Sequence, residues 1–170
     1  LSGFLISGII FQDLDNGRFS FVRFYFRRAR RIFPALIAVL GTTAIAGSVI
    51  LLPDEFQQTG KHLAAAAGFI ENLLLRREAG YFDSASELKP LMHLWSLAIE
   101  EQFYLLYPLL AWSIWRCRTK PSVVIPPLVA LSLFLCVSLT GKDPTRAFFS
   151  IQTRAWELLA GALLACCNLS

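Results

Sequence analysis

The chain has 170 residues, 55% of them hydrophobic and only 16% charged, with a mean hydropathy of +0.54, whereas a soluble domain of this size carries about 25% charge. Its apolar residues gather in blocks of about 20, the length that crosses a bilayer core, which excludes disorder and nucleic-acid binding and predicts an all-α, polytopic transmembrane helical bundle fragment. The formal net charge of +4 is unevenly placed: twelve of the sixteen basic residues are Arg, and six of those lie between Arg18 and Arg31.

Leu1 to Phe11 is too short to span as a helix and reads as the tail of a truncated span. A polar turn, Gln12 to Gly17, follows, in which Asp15, Asn16 and Gly17 stop the helix, and then comes the basic aromatic stretch FSFVRFYFRRARR. Phe33 to Leu52 is the cleanest span, with Pro34 suited to a helix's first turn and Pro53 closing it. The loop Pro53, Asp54, Glu55 is acidic, so the charge contrast across this span puts Arg18 to Arg31 in the cytoplasm.

His62 to Leu75 is apolar but short, reaching crossing length only if Arg76 and Arg77 snorkel or if the helix continues towards Tyr81. Leu91 to Trp115 is long enough to span but carries His93, Glu100 and Glu101. Val123 to Leu139 is an ordinary apolar span with Pro126 and Pro127 near its start. Phe148 to Leu169 is the last, with Arg154 and Glu157 inside it and Ala160, Gly161 and Ala162 suited to close helix packing. The sum is about four to six membrane helices. If all cross, Arg116, Arg118 and Lys120 fall outside; if His62 to Leu75 is re-entrant, they fall inside. Full crossing is the expectation.

Ionisable groups at membrane depth cost about 2.5–3.5 kcal/mol each, so a span holding several lines a polar cavity or an active site. In HLWSLAIEEQFYLLYP, at about 100° per residue, His93, Ser96, Glu100, Tyr104 and Tyr107 fall within roughly 60° of one another as one polar stripe. His93 and Glu100 stand about two turns apart, too far for a direct hydrogen bond but placed to flank a substrate. The bland alternative is that both hold neighbouring helices in register. Glu101 points about 100° from Glu100 and suits an Arg on another helix, while Arg154 and Glu157, three apart, can neutralise each other.

The basic run is the second constellation. Arg27 with Arg30, and Arg28 with Arg31, stand at i, i+3 and can present paired guanidinium forks to phosphate oxygens; lipid headgroup contact and topology setting are the alternatives. Cys117, Cys136, Cys166 and Cys167 lack ligand spacing and read as free thiols. There is no Gly-rich phosphate loop, no G-x-S-x-G elbow and no zinc motif, so no metal is expected.

SGFLISGII, RRARRIFPAL, YFDSASELKPLMHLWSLAIEEQFYLLYP and TRAWELLAGALLA, in that order, resemble the acyltransferase 3 family of bacterial integral-membrane O-acyltransferases. The likeness runs over nearly the whole chain. It implies that residues 1–170 are a partial membrane domain of that family in the bacterial inner membrane. The implied activity is transfer of an acetyl or short acyl group from acyl-coenzyme A to a hydroxyl of a cell-surface or lipid-linked glycan, such as O-antigen, peptidoglycan or exopolysaccharide. Arg27, Arg28, Arg30 and Arg31 match the family's RxxR element and would grip the coenzyme A phosphates. Glu100, with His93, Ser96 and Tyr104, matches its acidic membrane motif and would serve the chemistry. The family's first helix carries an Arg or Lys and then a His held to be the base. This chain has neither, so the 170 residues alone are expected to be inactive, with later helices and any SGNH-type domain beyond Ser170. A transporter or flippase core, with Glu100, His93 and Arg154 relaying protons or pairing with an anion, is the rival reading.

Overall fold

The computed structural model describes residues 2–78 and 90–168, all of whose regular structure is helical. The helices are α1 (Ser2–Asp15), α2 (Phe21–Ile50), α3 (Pro53–Ala67), α4 (Glu71–Glu78), α5 (Leu94–Arg116), α6 (Pro121–Thr140), α7 (Pro144–Phe149) and α8 (Ile151–Asn168). α2 and α6 are long and apolar enough to cross a membrane, and only 11% of either apolar stretch is buried, as expected of helices that meet lipid rather than a protein core. α5 and α8, both expected to span, fall short of that measure because Glu100 and Glu101, or Arg154 and Glu157, interrupt their apolar course.

Three expectations about helix limits need correction. α2 starts at Phe21 and takes in the whole basic run, so Pro34 lies in its interior and not in its first turn. A helix that continues through Pro forgoes one backbone bond, here from residue 34 to the Arg30 carbonyl, which an apolar stretch tolerates where local adjustment satisfies the freed group. The final segment is broken at Ser150 into α7 and α8, and the buried Thr153 hydroxyl seals the break by donating to the Ala147 and Ser150 carbonyls.

The third correction concerns His62 to Leu75, which is not one crossing helix. α3 stops at Ala67, and the chain reverses so that the Phe69 N–H bonds the Ala66 carbonyl and the Ile70 N–H bonds the Ala65 carbonyl. This paired closure needs a residue in the left-handed region, usually Gly. Here Phe69 occupies it at φ 54°, one residue past Gly68, at a cost of about 1–2 kcal/mol. The edge of the Phe69 ring meets the Phe33 ring in return.

The chain divides into two compact units, Leu1–Phe21 with Gln102–Ser170, and Val22–Glu101. In the first, α8 packs against α1 and α6. The α1–α8 crossing is made by backbone meeting backbone: a Cβ on Gly3 would lie 1.9 Å from the Leu158 carbonyl oxygen, and one on Gly161 would lie 2.9 Å from the Phe4 nitrogen. The small-residue segment Ala160 to Ala162 thus packs as its composition predicts. α6 is tied to α8 by Ser132, whose hydroxyl donates to the Gln152 carbonyl at 2.6 Å and accepts from the Trp156 N–H at 3.0 Å. Those two groups are i−4 and i of one helical turn, so the side chain is spliced into α8's own ladder. Ser7 donates to the Gly3 carbonyl, and with its single proton spent it accepts from the Tyr107 phenol at 2.6 Å, joining α1 to α5.

In the second unit, α3 opens on Pro53 with Asp54 and Glu55 in its first turn, and the Glu55 carboxylate accepts the Leu52 N–H at 3.1 Å. α4 folds back onto α3.

Candidate functional site

The polar stripe does not form one helical face. α5 begins at Leu94, so His93 lies in the preceding turn, exposed, with its carbonyl accepting the Ser96 hydroxyl at 3.3 Å. Ser96 is exposed too, and Glu100 is half-buried. Farther along the helix, Tyr104 and Tyr107 are 1% and 2% exposed. Tyr104 meets the Phe103 ring edge-on, while Tyr107 stacks on it. The stripe therefore runs from an open, polar end to a buried, aromatic one. His93 is displaced from it because the three residues before Leu94 form a turn and do not extend the helix.

Glu101 behaves as its direction on α5 suggests. Its two carboxylate oxygens accept from the Arg28 guanidinium, through Nε at 3.1 Å to each oxygen and through Nη2 to Oε1. Both side chains are mostly shielded, at 17% and 14% exposed. A two-pronged pair of this kind fixes the plane of the guanidinium as well as its position. Arg28 is thereby engaged with the protein. Arg27, Arg30 and Arg31 are exposed on α2, with the Arg30 guanidinium over the Phe26 ring at 5.9 Å. The four arginines are thus not equivalent: one anchors the run and three face outward. Arg154 and Glu157 pair at 3.0 Å across one turn of α8, as their spacing predicts.

A buried polar cluster in the second unit went unrecognised in the sequence. Glu71 and Asn72 are fully buried at the start of α4, and His62 of α3 is nearly so. The His62 Nδ1 lies 2.6 Å from Glu71 Oε1, and its Nε2 lies 3.3 Å from Glu78 Oε2. The other oxygen of Glu71 has no hydrogen-bond partner among the described residues. The one available signal was His and Glu in an otherwise apolar segment.

Of the cysteines, Cys117 is exposed, Cys136 half-buried and Cys166 buried, none of the three in a disulfide; the side chain of Cys167 lies outside the described residues.

Among the described residues the regular structure is all helical, and two helices, α2 and α6, are long and apolar enough to cross a membrane. A sequence profile of the acyltransferase domain matches residues 1–168, and the chain belongs to the acyltransferase 3 family. An uncharacterized protein of Haemophilus influenzae is 34% identical, the match covering 97% of this chain and 71% of that protein. The peptidoglycan O-acetyltransferase OatA of Listeria monocytogenes is 33% identical over 97% of this chain and 28% of its own length. A putative peptidoglycan O-acetyltransferase, YrhL of Bacillus subtilis, is 35% identical over 97% and 27%. The chain thus spans little more than a quarter of these two named enzymes. No solved structure matches it.

Proposed function

We propose that the chain is part of a multi-pass acyltransferase of the bacterial cytoplasmic membrane, with four to six of its helices in the bilayer. It would move an acetyl or short acyl group from acyl-coenzyme A to a hydroxyl of a cell-envelope glycan. Two relatives whose names specify peptidoglycan O-acetylation favour a peptidoglycan-like acceptor. The observation that carries the reading is the Arg28–Glu101 fork, which ties the RRARR run of α2 to the Glu100-bearing turn of α5 within one compact unit. That places an arginine run suited to phosphate oxygens and a carboxylate-bearing turn in the same unit, which supports a coenzyme A donor grip beside groups that could serve the transfer.

In this reading Arg27, Arg30 and Arg31 hold the coenzyme A phosphates, and Arg28 positions them through Glu101. Glu100, with Ser96, His93 and Tyr104 on the same segment, contributes the polar groups of the acceptor side. The thioester C–S bond breaks, an ester C–O bond forms, and the hydroxyl proton passes to the departing thiolate, so no net proton is consumed. The first unit supports an orientation. The end of α1 and the α5–α6 turn line one cavity to which Arg118 and Lys120 contribute, and the positive-inside tendency favours a cytoplasmic face for that end.

Calorimetric titration of the full-length parent with acetyl-coenzyme A is the test. Arg30→Ala with Arg31→Ala should weaken binding at least tenfold, with thermal stability unchanged because both side chains are exposed. Unchanged binding by the double variant would remove the donor site.

A further inference from the structure

The first unit contains a cavity of about 540 Å³, where the end of α1, the α5–α6 turn and the first turn of α6 meet. Its apolar lining comes from the buried Phe11, Ile114 and Cys166 and from the exposed Trp115. Its rim is polar: Arg118 and Lys120 supply two cations, Asp15 one carboxylate, and Thr119 and Ser122 two hydroxyls. Among the described residues none of these three charged side chains has an ion-pair partner. The volume lies in the range of small-molecule sites, and an apolar lining with a few convergent polar groups is their usual composition.

Two backbone features direct positive charge at the same opening. α5 closes as α3 does, with the Arg118 N–H on the Trp115 carbonyl and the Thr119 N–H on the Ile114 carbonyl, and Arg118 takes the left-handed position at φ 54°. Glycine fills that position without strain, so an arginine there, lining a cavity, is the kind of outlier that marks a binding residue. α6 then starts on Pro121 with Lys120 as its N-cap, which brings no side-chain acceptor, so the positive end of a 20-residue helix stands at the rim.

We propose that this cavity binds a phospholipid headgroup of the phosphoethanolamine type. The phosphodiester sits between Arg118, Lys120 and the start of α6, the ammonium donates to Asp15, and the first carbons of the tails lie on Phe11, Ile114 and Trp115. Two cations and one carboxylate on a single rim match a group carrying both a phosphate and a hydrogen-bond donor better than a bare anion. The inference rests on the membrane placement proposed above but not on acyl transfer; none of Arg27, Arg28, Arg30 or Arg31 lines the cavity.

The test is native mass spectrometry of the full-length parent released from nanodiscs of equal phosphatidylethanolamine and phosphatidylcholine. The wild type should retain phosphatidylethanolamine about tenfold over phosphatidylcholine, whose headgroup has no N–H to donate. Arg118→Gly removes the cation while relieving the left-handed strain, so it should lose retained lipid about tenfold with stability equal to or above wild type. Asp15→Asn should abolish the preference between the two lipids, and Arg31→Ala should leave it intact. Retention unaffected by Arg118→Gly, or no preference in the wild type, would overturn the proposal. Displacement of the lipid by millimolar inorganic phosphate would assign the cavity to a soluble phosphate and overturn the lipid reading. Acetyl-coenzyme A binding, measured alongside, should be unchanged in Arg118→Gly. A lost donor site with normal lipid retention would therefore count against the acyltransferase reading alone.

Discussion

Gly3 and Gly8 stand on the same helix, yet replacement by Ala should act in opposite directions at the two. A Cβ at Gly3 would lie 1.9 Å from the Leu158 carbonyl oxygen and 2.8 Å from its carbon, and no rotamer relieves a clash between two main chains. α1 and α8 must then part by roughly 1 Å, which forfeits a quarter to a half of each dispersion contact along their seam. Buried residues of both helices, Ser7 and Ala162 among them, would be disturbed. Over-packing of this kind costs about 3 kcal/mol, close to a hundredfold in the folding equilibrium. A Cβ at Gly8 meets nothing within 4 Å, so Gly8→Ala gains only helix propensity, about 0.5–1 kcal/mol. Gly161→Ala, facing the Phe4 nitrogen at 2.9 Å, should cost less than Gly3→Ala. The assay is unfolding of the purified protein from mild detergent by titrated sodium dodecyl sulfate, followed by far-UV circular dichroism. Equal midpoints for Gly3→Ala and Gly8→Ala would refute the close α1–α8 crossing.

Three further outcomes are expected from the same unfolding assay and from double-mutant comparison. His62→Leu strands the buried Glu71 carboxyl and should cost about 3–5 kcal/mol, whereas His62→Leu with Glu71→Leu should recover most of it; a double variant as unstable as the single would show that the cluster does more than neutralise itself. Tyr107→Phe removes the phenol that donates to Ser7 and should cost about 1 kcal/mol, with a loss near zero meaning that α1 and α5 are not joined there. Phe69→Gly relieves the left-handed strain but gives up the Phe33 contact, so the two effects nearly cancel. In a Phe33→Ala background the same change should stabilise by about 1 kcal/mol, and destabilisation there would argue against the chain reversal described at Ile70.

Much of this protein was legible before folding was considered. Low charge and apolar blocks of about 20 residues pointed to helices of membrane-crossing length, and α2 and α6 have that length and character. The contact within one helix was equally readable, since Arg154 with Glu157 follows from the 3.6-residue period, and the small residues around Gly161 marked a close-packing surface without naming α1 as its partner. The direction of Glu101, turned off the Glu100 face, pointed correctly to an Arg on another helix, though not to Arg28. The period misled at His93, where a turn replaces the helix it assumed, and at Pro34, where helix continues through a residue that usually opens one.

Tertiary structure alone decided the rest. His62, Glu71 and Glu78 meet because a reversal at Phe69 lays α4 on α3, and the residue that makes the reversal possible is not the glycine beside it. Ser132 enters the ladder of α8, 20 residues further on, and Phe11 shares a cavity with Cys166. The reason is physical: periodicity records which side chains share a face, but which faces meet depends on the φ of a few turn residues. At Phe69 and Arg118 that φ is one a sequence would assign to glycine.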